Sequence, residues 1–406
     1  MRILLVNKYH YLRSGTERYL FNLKRLLEAR GHTVEVFAMQ HPRNQPATYA
    51  RHFAPYVEFH EVTGLGRLSA SLRVLWYPRA ATLCARVLDD FRPRIVHVFN
   101  VYHHLSPSLL PPVTRRRIPI VQTLNDYKLI CPNYTLYTEG APCLRCRDHR
   151  YVHAVRHRCL DGSRAWSALA AVEMTLHKAF LVYERHVARF IAPSAYMATT
   201  VAAFGVPAGQ VVEIPYFLFP DDHAVSERDD GYCAYVGRLV PSKGLVTLLR
   251  AMREVPEARL WIVGEGPQRP ELERLAAAWG LGNVRFAGYL AGTALTEAIA
   301  GARFTVVPSE WPEVFGQSIT ESFAVGKPVI GARIGGIPEV IDADADGLLF
   351  APGAAPELAA CLRRLWAKPE AARAMGLAGR AKVERRYDPE SHYARLAPLY
   401  ERLVGA

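Results

Sequence analysis

The 406-residue sequence has no run of 18 apolar residues, the length at which a helix begins to be able to cross a bilayer. Its first residues, Met1–Lys8, hold too short an apolar stretch for a secretory signal, so we predict a buried first strand and a cytosolic protein. Glycine and proline, 28 each, are at ordinary levels, which excludes collagen-like and disordered chains. With 50% hydrophobic residues, the length predicts two or three domains with cores of their own.

Acidic residues are scarce in the first half of the chain. Residues 1–212 have 13 Asp and Glu against 28 Lys and Arg, a net charge of +15, whereas residues 213–406 have a net charge of −3. Basic charge on one domain indicates an anionic partner there, such as a membrane surface, nucleic acid or a phosphate-bearing substrate, or it serves only solubility. Because the second half is balanced, we favour anionic lipid or a phosphate-bearing acceptor and expect no nucleic-acid partner.

Cysteine is sparse, with seven residues, but four of them lie close together. They fall in a segment of about residues 131–164 that also contains many arginines: Cys131, Cys143, Cys146 and Cys159. The Cys-x2-Cys pair suits a structural zinc site, although the other two spacings are irregular. Reduced thiols and redox or disulfide chemistry remain alternatives, and three histidines are substitute ligands: His149, His153 and His157.

Short apolar runs alternate with amphipathic stretches along both halves. The runs predicted as buried strands are Arg2–Val6, Thr33–Ala38, Ile95–Phe99, Ile118–Thr123 and Phe190–Pro193, then Tyr232–Gly237, Arg259–Val263, Val284–Ala287, Phe304–Val307, Pro328–Gly331 and Gly347–Phe350. This alternation predicts α/β architecture with parallel sheets in two Rossmann-like domains. We expect domains at residues 1–212 and 213–386, and a terminal helix over residues 387–406. The apolar spacing within Ala165–Ala188 favours a core-facing helix there, with contact to a membrane as the alternative.

Ligands of such sheets bind at loops that follow the carboxyl ends of strands. One such loop, Gly237–Gly244, contains Arg238 and Lys243, which suit a diphosphate at a helix start. A second loop contains Glu313 and Glu321, separated by seven residues, with Gly316 at the turn between them. Other strand ends contain glycines in the stretches Val263–Pro267 and Phe286–Tyr289, and Gly335-Gly336 precede a further helix start.

In this order the motifs resemble those of the family 4 glycosyltransferases, which are retaining enzymes of the GT-B fold. The resemblance implies two Rossmann-like domains facing each other across a cleft, with the C-terminal helix crossing back to the first domain. It also implies a nucleotide-sugar site in the second domain, with Arg238 and Lys243 on the diphosphate, Glu321 on the ribose and Glu313 at the donor sugar. Further donor-binding positions are Gly237, Gly264, Glu265, Gly288, Tyr289, Val314, Phe315 and Gly316.

The first half departs from the family pattern at two loops. Ser14 and Gly15 stand where relatives have a Gly-Gly pair near the donor phosphate and acceptor. Asn125-Asp126 stands where many relatives have His-Asp, and an amide cannot titrate. We expect Asn125 and Asp126 to contact the acceptor, with a structural capping role as the alternative for Asp126. His97 is predicted to be a core histidine.

The sequence thus predicts a metal-independent hexosyltransferase that uses a UDP- or GDP-sugar and acts on a glycan or lipid-linked acceptor in polysaccharide or glycoconjugate biosynthesis. We expect no catalytic cofactor, and a cytoplasmic protein that binds peripherally to the inner face of a membrane. Two alternatives stay open. One is a non-catalytic nucleotide-sugar-binding subunit, which the changes at Ser14 and Asn125 favour. The other is a sugar-nucleotide epimerase of the same fold.

Overall fold

The computed structural model describes residues 1–56 and 72–405, which form two compact units. The first unit comprises Met1–Leu136, Leu144–Ile214 and Tyr393–Ala406, and the second comprises Tyr137–Cys143 and Pro215–His392. Within the described residues, no helix combines the length and apolar character needed to cross a bilayer.

The first unit is built on a six-stranded parallel sheet of order β2-β1-β3-β4-β7-β8. Its strands are β1 Arg2–Val6, β2 Thr33–Phe37, β3 Ile95–Val98, β4 Ile120–Thr123, β7 Arg189–Ala192 and β8 Val211–Glu213. The helices of this unit are α1 Gly15–Ala29, α2 Pro78–Phe91, α3 Leu110–Arg115, α4 Val152–Arg156, α5 Arg164–Ala179, α6 Val182–His186 and α7 Ala195–Ala203. Apolar side chains bury the central strands on both faces, as parallel sheets between helices require.

The second unit repeats this plan with a parallel sheet of order β11-β10-β9-β12-β13-β14. Its strands are β9 Cys233–Val236, β10 Leu260–Val263, β11 Val284–Gly288, β12 Thr305–Val307, β13 Val329–Ala332 and β14 Gly347–Phe350. Its helices are α8 Leu245–Arg253, α9 Arg269–Ala278, α10 Gly292–Ala300, α11 Gln317–Ala324, α12 Ile337–Val340, α13 Ala355–Ala367 and α14 Pro369–Arg386. The prediction of two parallel α/β sheets is confirmed.

The terminal helix α15, Pro389–Gly405, belongs from Tyr393 onward to the first unit. The Tyr400 hydroxyl lies 2.5 Å from His97 Nδ1, and the other ring nitrogen of His97 lies 2.7 Å from the Thr123 hydroxyl. His97 is fully buried and stacks on Phe99. It is therefore a hydrogen-bonded core histidine, as predicted.

The segment that contains the clustered cysteines differs from the expectation in one respect. We predicted it as part of the first domain, whereas the hairpin of β5 (Tyr137–Thr138) and β6 (Ala141–Pro142) clusters with the second unit. The Tyr137 hydroxyl lies 3.5 Å from Glu310 Oε2, which follows β12. Burial, with Glu310 nearby, raises the pKa of Tyr137 to about 12.

The prediction of a core-facing apolar stripe on α5 is wrong. Three apolar residues at a spacing of four are exposed: Val172 and Leu176 on α5 are 50% and 40% exposed, and Phe180 at its C-cap is 63% exposed. The face that α5 buries includes Glu173 and His177 instead. A polar network, described below, occupies this face, which is why apolar periodicity pointed to the wrong side of the helix.

Candidate active site

The loop between β9 and α8 is packed closely against its neighbours through backbone atoms. Gly244 has φ +70°, and a Cβ there would lie 1.9 Å from the carbonyl oxygen of Pro308. Gly264, at the end of β10, has φ +145°, and a Cβ would lie 1.9 Å from the carbonyl oxygen of Gly237. Both positions therefore require glycine. They let the loops after β9, β10 and β12 approach one another.

Lys243 and Glu313 are brought together by this packing. Lys243 Nζ donates to Glu313 Oε1 at 2.5 Å, and the Ser309 hydroxyl donates to the same oxygen at 2.6 Å. Lys243 Nζ also lies 5.2 Å from the centre of the Trp311 ring. The Lys243 side chain is 25% exposed, so an incoming anion has access to it. Two predicted site residues are thus in contact across neighbouring strand ends.

Arg238 begins the same loop with an exposed side chain. Its backbone carbonyl accepts a hydrogen bond of 2.8 Å from the hydroxyl of Tyr235, and this bond fixes the conformation of the turn. Burial raises the pKa of Tyr235, so this hydroxyl remains a donor. In the described part of the chain the Arg238 guanidinium makes no hydrogen bond or ion pair, unlike the ammonium of Lys243. A cation is therefore available for an anionic ligand.

Glu313 also fixes the loop that leads into α11. Its backbone carbonyl accepts from the amide of Gly336 at 2.7 Å, which ties the loop after β12 to the loop after β13. Val314 and Phe315 are buried, and Phe315 packs edge-on against Tyr216 and Tyr387. Their side chains are therefore part of the core.

Gly316 precedes α11 with φ +95°, and Glu321 lies half-buried on the second turn of that helix. The first amides of a helix have no partners within the helix and attract anions. Glu321 therefore lies one turn beyond a favourable place for a phosphate.

The remaining predicted donor residues lie at the ends of β10 and β11. The amide of Gly264 donates to the carbonyl of Gly288 at 2.8 Å, which joins the two strand ends. Glu265 forms an ion pair with Arg269 at the surface. Tyr289 is 66% exposed, so its ring is accessible to a flat ligand.

Side chains rather than glycines order the first loop of the first unit. Ser14 precedes α1 with φ −153°, an extended conformation that does not require glycine. Its hydroxyl donates to Glu17 at 2.6 Å, and Asn7 Nδ2 donates to the other oxygen of Glu17 at 3.0 Å. The loop that includes Gly15 therefore persists without the first glycine of the family pattern.

Asn125 and Asp126 follow β4 and are both half-buried. Asn125 Nδ2 donates to the carbonyl of Thr123 at 3.1 Å, and Asp126 Oδ1 accepts from the amide of Lys128 at 2.8 Å. Burial raises the pKa of Asp126, opposed by its hydrogen bond and by Lys8 and Lys128. Asp126 thus stabilises its own turn, although no described helix begins there for it to cap.

A buried ion pair next to this loop was missed from the sequence. Lys128 Nζ donates to Glu173 Oε2 at 2.7 Å, with 3% and 1% of their side chains exposed. His103 Nε2 lies 3.2 Å from the same carboxylate. Burial raises the pKa of Glu173, but Lys128 and His103 outweigh it and bring the pKa to about 2. The only signal of this pair in the sequence is Glu173, an acidic residue inside an apolar helical pattern and 45 positions from Lys128.

None of the seven cysteines forms a disulfide bond, and Cys131 donates to Asn133 Oδ1 at 2.9 Å. Within residues 1–56 and 72–405 there is no group of three or more His, Cys, Asp or Glu side chains arranged to hold a metal ion. The structural-zinc hypothesis for Cys131, Cys143, Cys146 and Cys159 gains no support from this arrangement and stays a prediction.

Comparison with protein families agrees with this geometry. The profile described as Glycosyltransferase Family 4 matches residues 13–218, and that described as Glycosyl transferases group 1 matches residues 220–382. The chain belongs to glycosyltransferase family 4. The family resemblance deduced from the motifs is therefore confirmed.

Curated relatives of this family 4 chain differ in how much of their length it matches. The 2-deoxystreptamine glucosyltransferase of Streptomyces kanamyceticus is 30% identical over 365 residues, 85% of either chain. The sulfoquinovosyl transferase of Arabidopsis thaliana is 38% identical over 157 residues, which are 38% of this chain and 30% of the relative. The chain thus spans less than half the length of some relatives that it matches with higher identity.

Solved structures of similar fold cover the whole family 4 chain. Sucrose-phosphate synthase from Thermosynechococcus elongatus superposes with a TM-score of 0.75 at 22% identity, covering 100% of this chain and 99% of that one. Anabaena HepE in complex with UDP-glucose superposes with a TM-score of 0.67 at 20% identity, covering 99% and 100%. The fold is therefore GT-B.

Proposed function

We propose that the chain is a retaining glycosyltransferase that moves a hexose-type sugar from a UDP- or GDP-sugar to a glycan or lipid-linked acceptor. The observation that carries the proposal is the 2.5 Å pair of Lys243 and Glu313 beside the accessible Arg238, at adjoining strand ends of the second unit. A cation that is held by a carboxylate but still accessible can transfer its hydrogen bonds to an incoming diphosphate.

In this proposal Lys243, Arg238 and the first amides of α11 bind the donor diphosphate. The two cations offset the charge that develops as the bond between the sugar and the phosphate oxygen breaks, which is the usual source of the largest rate effect. Because two cationic side chains supply this charge, the proposed chemistry needs no divalent metal. Glu313, released from Lys243, accepts hydrogen bonds from hydroxyls of the donor sugar.

The nucleoside is proposed to lie along neighbouring loops of the same unit. Glu321, one turn into α11, would accept hydrogen bonds from the ribose hydroxyls. The exposed ring of Tyr289, beside Gly288 and Glu265, offers a surface for the base.

The acceptor is proposed to bind the first unit at Asn125 and Asp126, with the Ser14-Gly15 loop, which follows β1 of the same sheet, as a further contact. Asn125 would orient an acceptor hydroxyl, because an amide both donates and accepts but does not titrate. The acceptor oxygen then forms a bond to the sugar carbon on the face that the phosphate leaves. The hydroxyl proton passes to the departing phosphate oxygen, and the nucleoside diphosphate is released.

We further propose that the protein acts on the cytoplasmic side of a membrane, where a lipid-linked or glycan acceptor is available for polysaccharide or glycoconjugate synthesis. The excess of 28 Lys and Arg over 13 Asp and Glu in residues 1–212 supports an anionic partner. One relative, from Corynebacterium glutamicum, is named as a mannosyltransferase of a phosphatidylinositol monomannoside, at 32% identity over 45% of this chain.

The test is a panel of UDP-, GDP-, ADP- and TDP-sugars, with chromatographic detection of the released nucleoside diphosphate and NMR of the product anomer. We expect one donor to be consumed, with retained configuration, and consumption to be lost in Lys243→Ala but not in the control Arg274→Ala, an exposed arginine on α9. Release of the epimeric sugar nucleotide instead would indicate an epimerase. Nucleotide binding without any turnover would indicate a non-catalytic subunit.

A further inference from the structure

The outer face of α5 is an apolar stripe that no part of the described chain covers. Val172, Leu176 and Phe180 are 50%, 40% and 63% exposed, and Leu181, which follows, is 40% exposed. Residues four apart share one face of a helix. Scattered single apolar residues on a surface need no explanation, but a contiguous row of large ones indicates an interaction site.

A second apolar segment lies beside this helix. His177 of α5 has Nε2 2.8 Å from the carbonyl oxygen of Leu75, which ties the segment before α2 to α5. That segment presents Leu72 and Trp76, which are 57% and 42% exposed. We call the combined set the α5 surface; its apolar members are Leu72, Trp76, Val172, Leu176, Phe180 and Leu181.

The segments that form the α5 surface have an excess of positive charge. Residues 72–91 and 164–189 together contain seven Lys and Arg and four acidic residues, Asp89, Asp90, Glu173 and Glu184. Three of these carboxylates are paired with a basic side chain: Asp89 with Arg116 at 2.7 Å, Glu173 with Lys128 at 2.7 Å and Glu184 with Lys178 at 2.5 Å. Arg79 and Arg185 are exposed. These segments therefore offer exposed cations and a net positive charge.

Charge complementarity decides which occupant fits. A second copy of this chain, docked through the same face in a symmetric dimer, would place one set of arginines against another, which is repulsive. An anionic bilayer satisfies both features, because apolar and aromatic side chains enter the boundary of the acyl chains while Lys and Arg meet the head groups. A helix lying in the membrane plane has this combination of faces.

We propose that the α5 surface docks the first unit on an anionic lipid bilayer. This inference rests on the proposed membrane association and gives it a location, on α5 and the adjoining segment rather than on the arginine-rich residues 115–164. Trp76 and Phe180 enter the boundary between the head groups and the acyl chains, and Arg79 and Arg185 contact lipid head groups.

The experiment is sedimentation of the full chain with vesicles of phosphatidylcholine alone or containing phosphatidylglycerol, without donor or acceptor. We expect binding only to the anionic vesicles. Leu176→Ser/Phe180→Ser should weaken it by about tenfold or more, because buried apolar surface supplies the binding. Leu377→Ser, on α14 of the second unit and 46% exposed, is the matched control and should bind as the wild type does.

A second pair of variants tests the charges. Arg79→Glu/Arg185→Glu should weaken binding by at least about fivefold for each residue, since a basic side chain near an anionic surface contributes about that factor. Arg274→Glu is the control. Donor consumption in the absence of vesicles should be the same in all these variants, so a failure of the surface and a failure of the transferase are distinguishable.

Three results would overturn the proposal. The first is equal binding of the Leu176→Ser/Phe180→Ser variant and the wild type. The second is no binding of the wild type to anionic vesicles. The third is binding to soluble poly-glutamate but not to vesicles, which would indicate an acidic protein partner instead. Thermal melting of each variant verifies that it is folded before its binding is compared.

Discussion

In the second unit the loops that follow the strands approach one another through their backbones, whereas in the first unit side chains join the equivalent loops. Gly244 and Gly264 lie where a Cβ would contact a carbonyl oxygen at 1.9 Å. In the first unit, Glu17, Asp126 and Glu173 each hold a loop through hydrogen bonds from neighbouring side chains or amides.

The two units thus order their loops differently, by backbone packing in the second unit and by buried side-chain networks in the first. Backbone packing leaves Lys243 and Arg238 accessible and ready to exchange partners with a ligand, as a donor diphosphate that comes and goes requires. In a buried network such as Lys128, Glu173 and His103, the low dielectric strengthens each interaction and makes the loss of any partner costly. Variants of the two units should therefore fail in different ways.

The largest effect is expected from breaking the buried pair of the first unit. Lys128→Met removes the lysine that pairs with the buried carboxylate of Glu173, and loss of one partner of such a pair typically costs about 3–5 kcal/mol. Arg364→Met removes one partner of an exposed pair with Asp344, whose side chains are 52% and 65% exposed, and is the control. Exposed pairs contribute roughly 0–1 kcal/mol. Urea unfolding followed by circular dichroism measures both, and equal effects would contradict the contrast.

The next effect tests the backbone packing of the second unit. Gly264→Ala places a methyl group against the carbonyl of Gly237 at φ +145° and should destabilise the unit by about 3 kcal/mol. Gly282→Ala in the same unit, where a Cβ meets nothing within 4 Å, should have little effect. Differential scanning calorimetry compares the two variants. A melting temperature of Gly264→Ala equal to that of Gly282→Ala would show that the loops are not tightly packed.

A third effect is the contribution of His10, in the first unit, to the pH dependence of stability. His10 packs near Phe21 and Phe53, and burial lowers its pKa to about 4. Between pH 6.5 and 4 the unfolded chain binds a proton at His10 and the folded chain does not, so stability falls as the pH decreases. The slope approaches about 1.4 kcal/mol per pH unit for one group.

His10→Gln, which does not titrate, should flatten that slope in urea titrations between pH 7 and 4. The group at Glu173 acts in a separate range, because a carboxylate with a pKa of about 2 loses its contribution only as the pH falls from about 4.5 towards 2. An unchanged slope in His10→Gln would mean that His10 is not buried in its neutral form.

The smallest effect concerns Ser14, where relatives have glycine. Ser14→Gly removes the 2.6 Å hydrogen bond to Glu17 and should cost about 1 kcal/mol, while donor consumption stays within a factor of two or so. The extended φ of −153° explains why glycine is not needed there. A gain of stability in Ser14→Gly, measured by urea unfolding, would mean that the side chain strains the loop.

Much of the fold could be predicted from the sequence because buried parallel strands are short, continuous apolar runs. Each of the eleven predicted strands corresponds to a strand of the structure. The strand β8, Val211–Glu213, was missed because it is three residues long and only half-buried. The β5–β6 hairpin, Tyr137–Pro142, has two-residue strands that leave no periodic pattern.

The donor site was predictable for a related reason. A loop that must pass close to another backbone needs glycine, and a diphosphate needs cations, so the residues of the second unit form local motifs such as Gly237–Gly244. The pair of Lys128 and Glu173 joins residues 45 positions apart, and a single polar residue in a helix gives no hint of its partner. For the same reason the exposed side of α5 was mistaken for its buried side.

The central claim is that Lys243 and Arg238 form the diphosphate site, and isothermal titration of the released nucleoside diphosphate tests it most directly. The account predicts that Lys243→Met and Arg238→Met each weaken binding by about 10- to 100-fold, the value of a charge-assisted hydrogen bond. The control Arg274→Met should bind as the wild type does. Affinity that is unchanged in both site variants would contradict the claim.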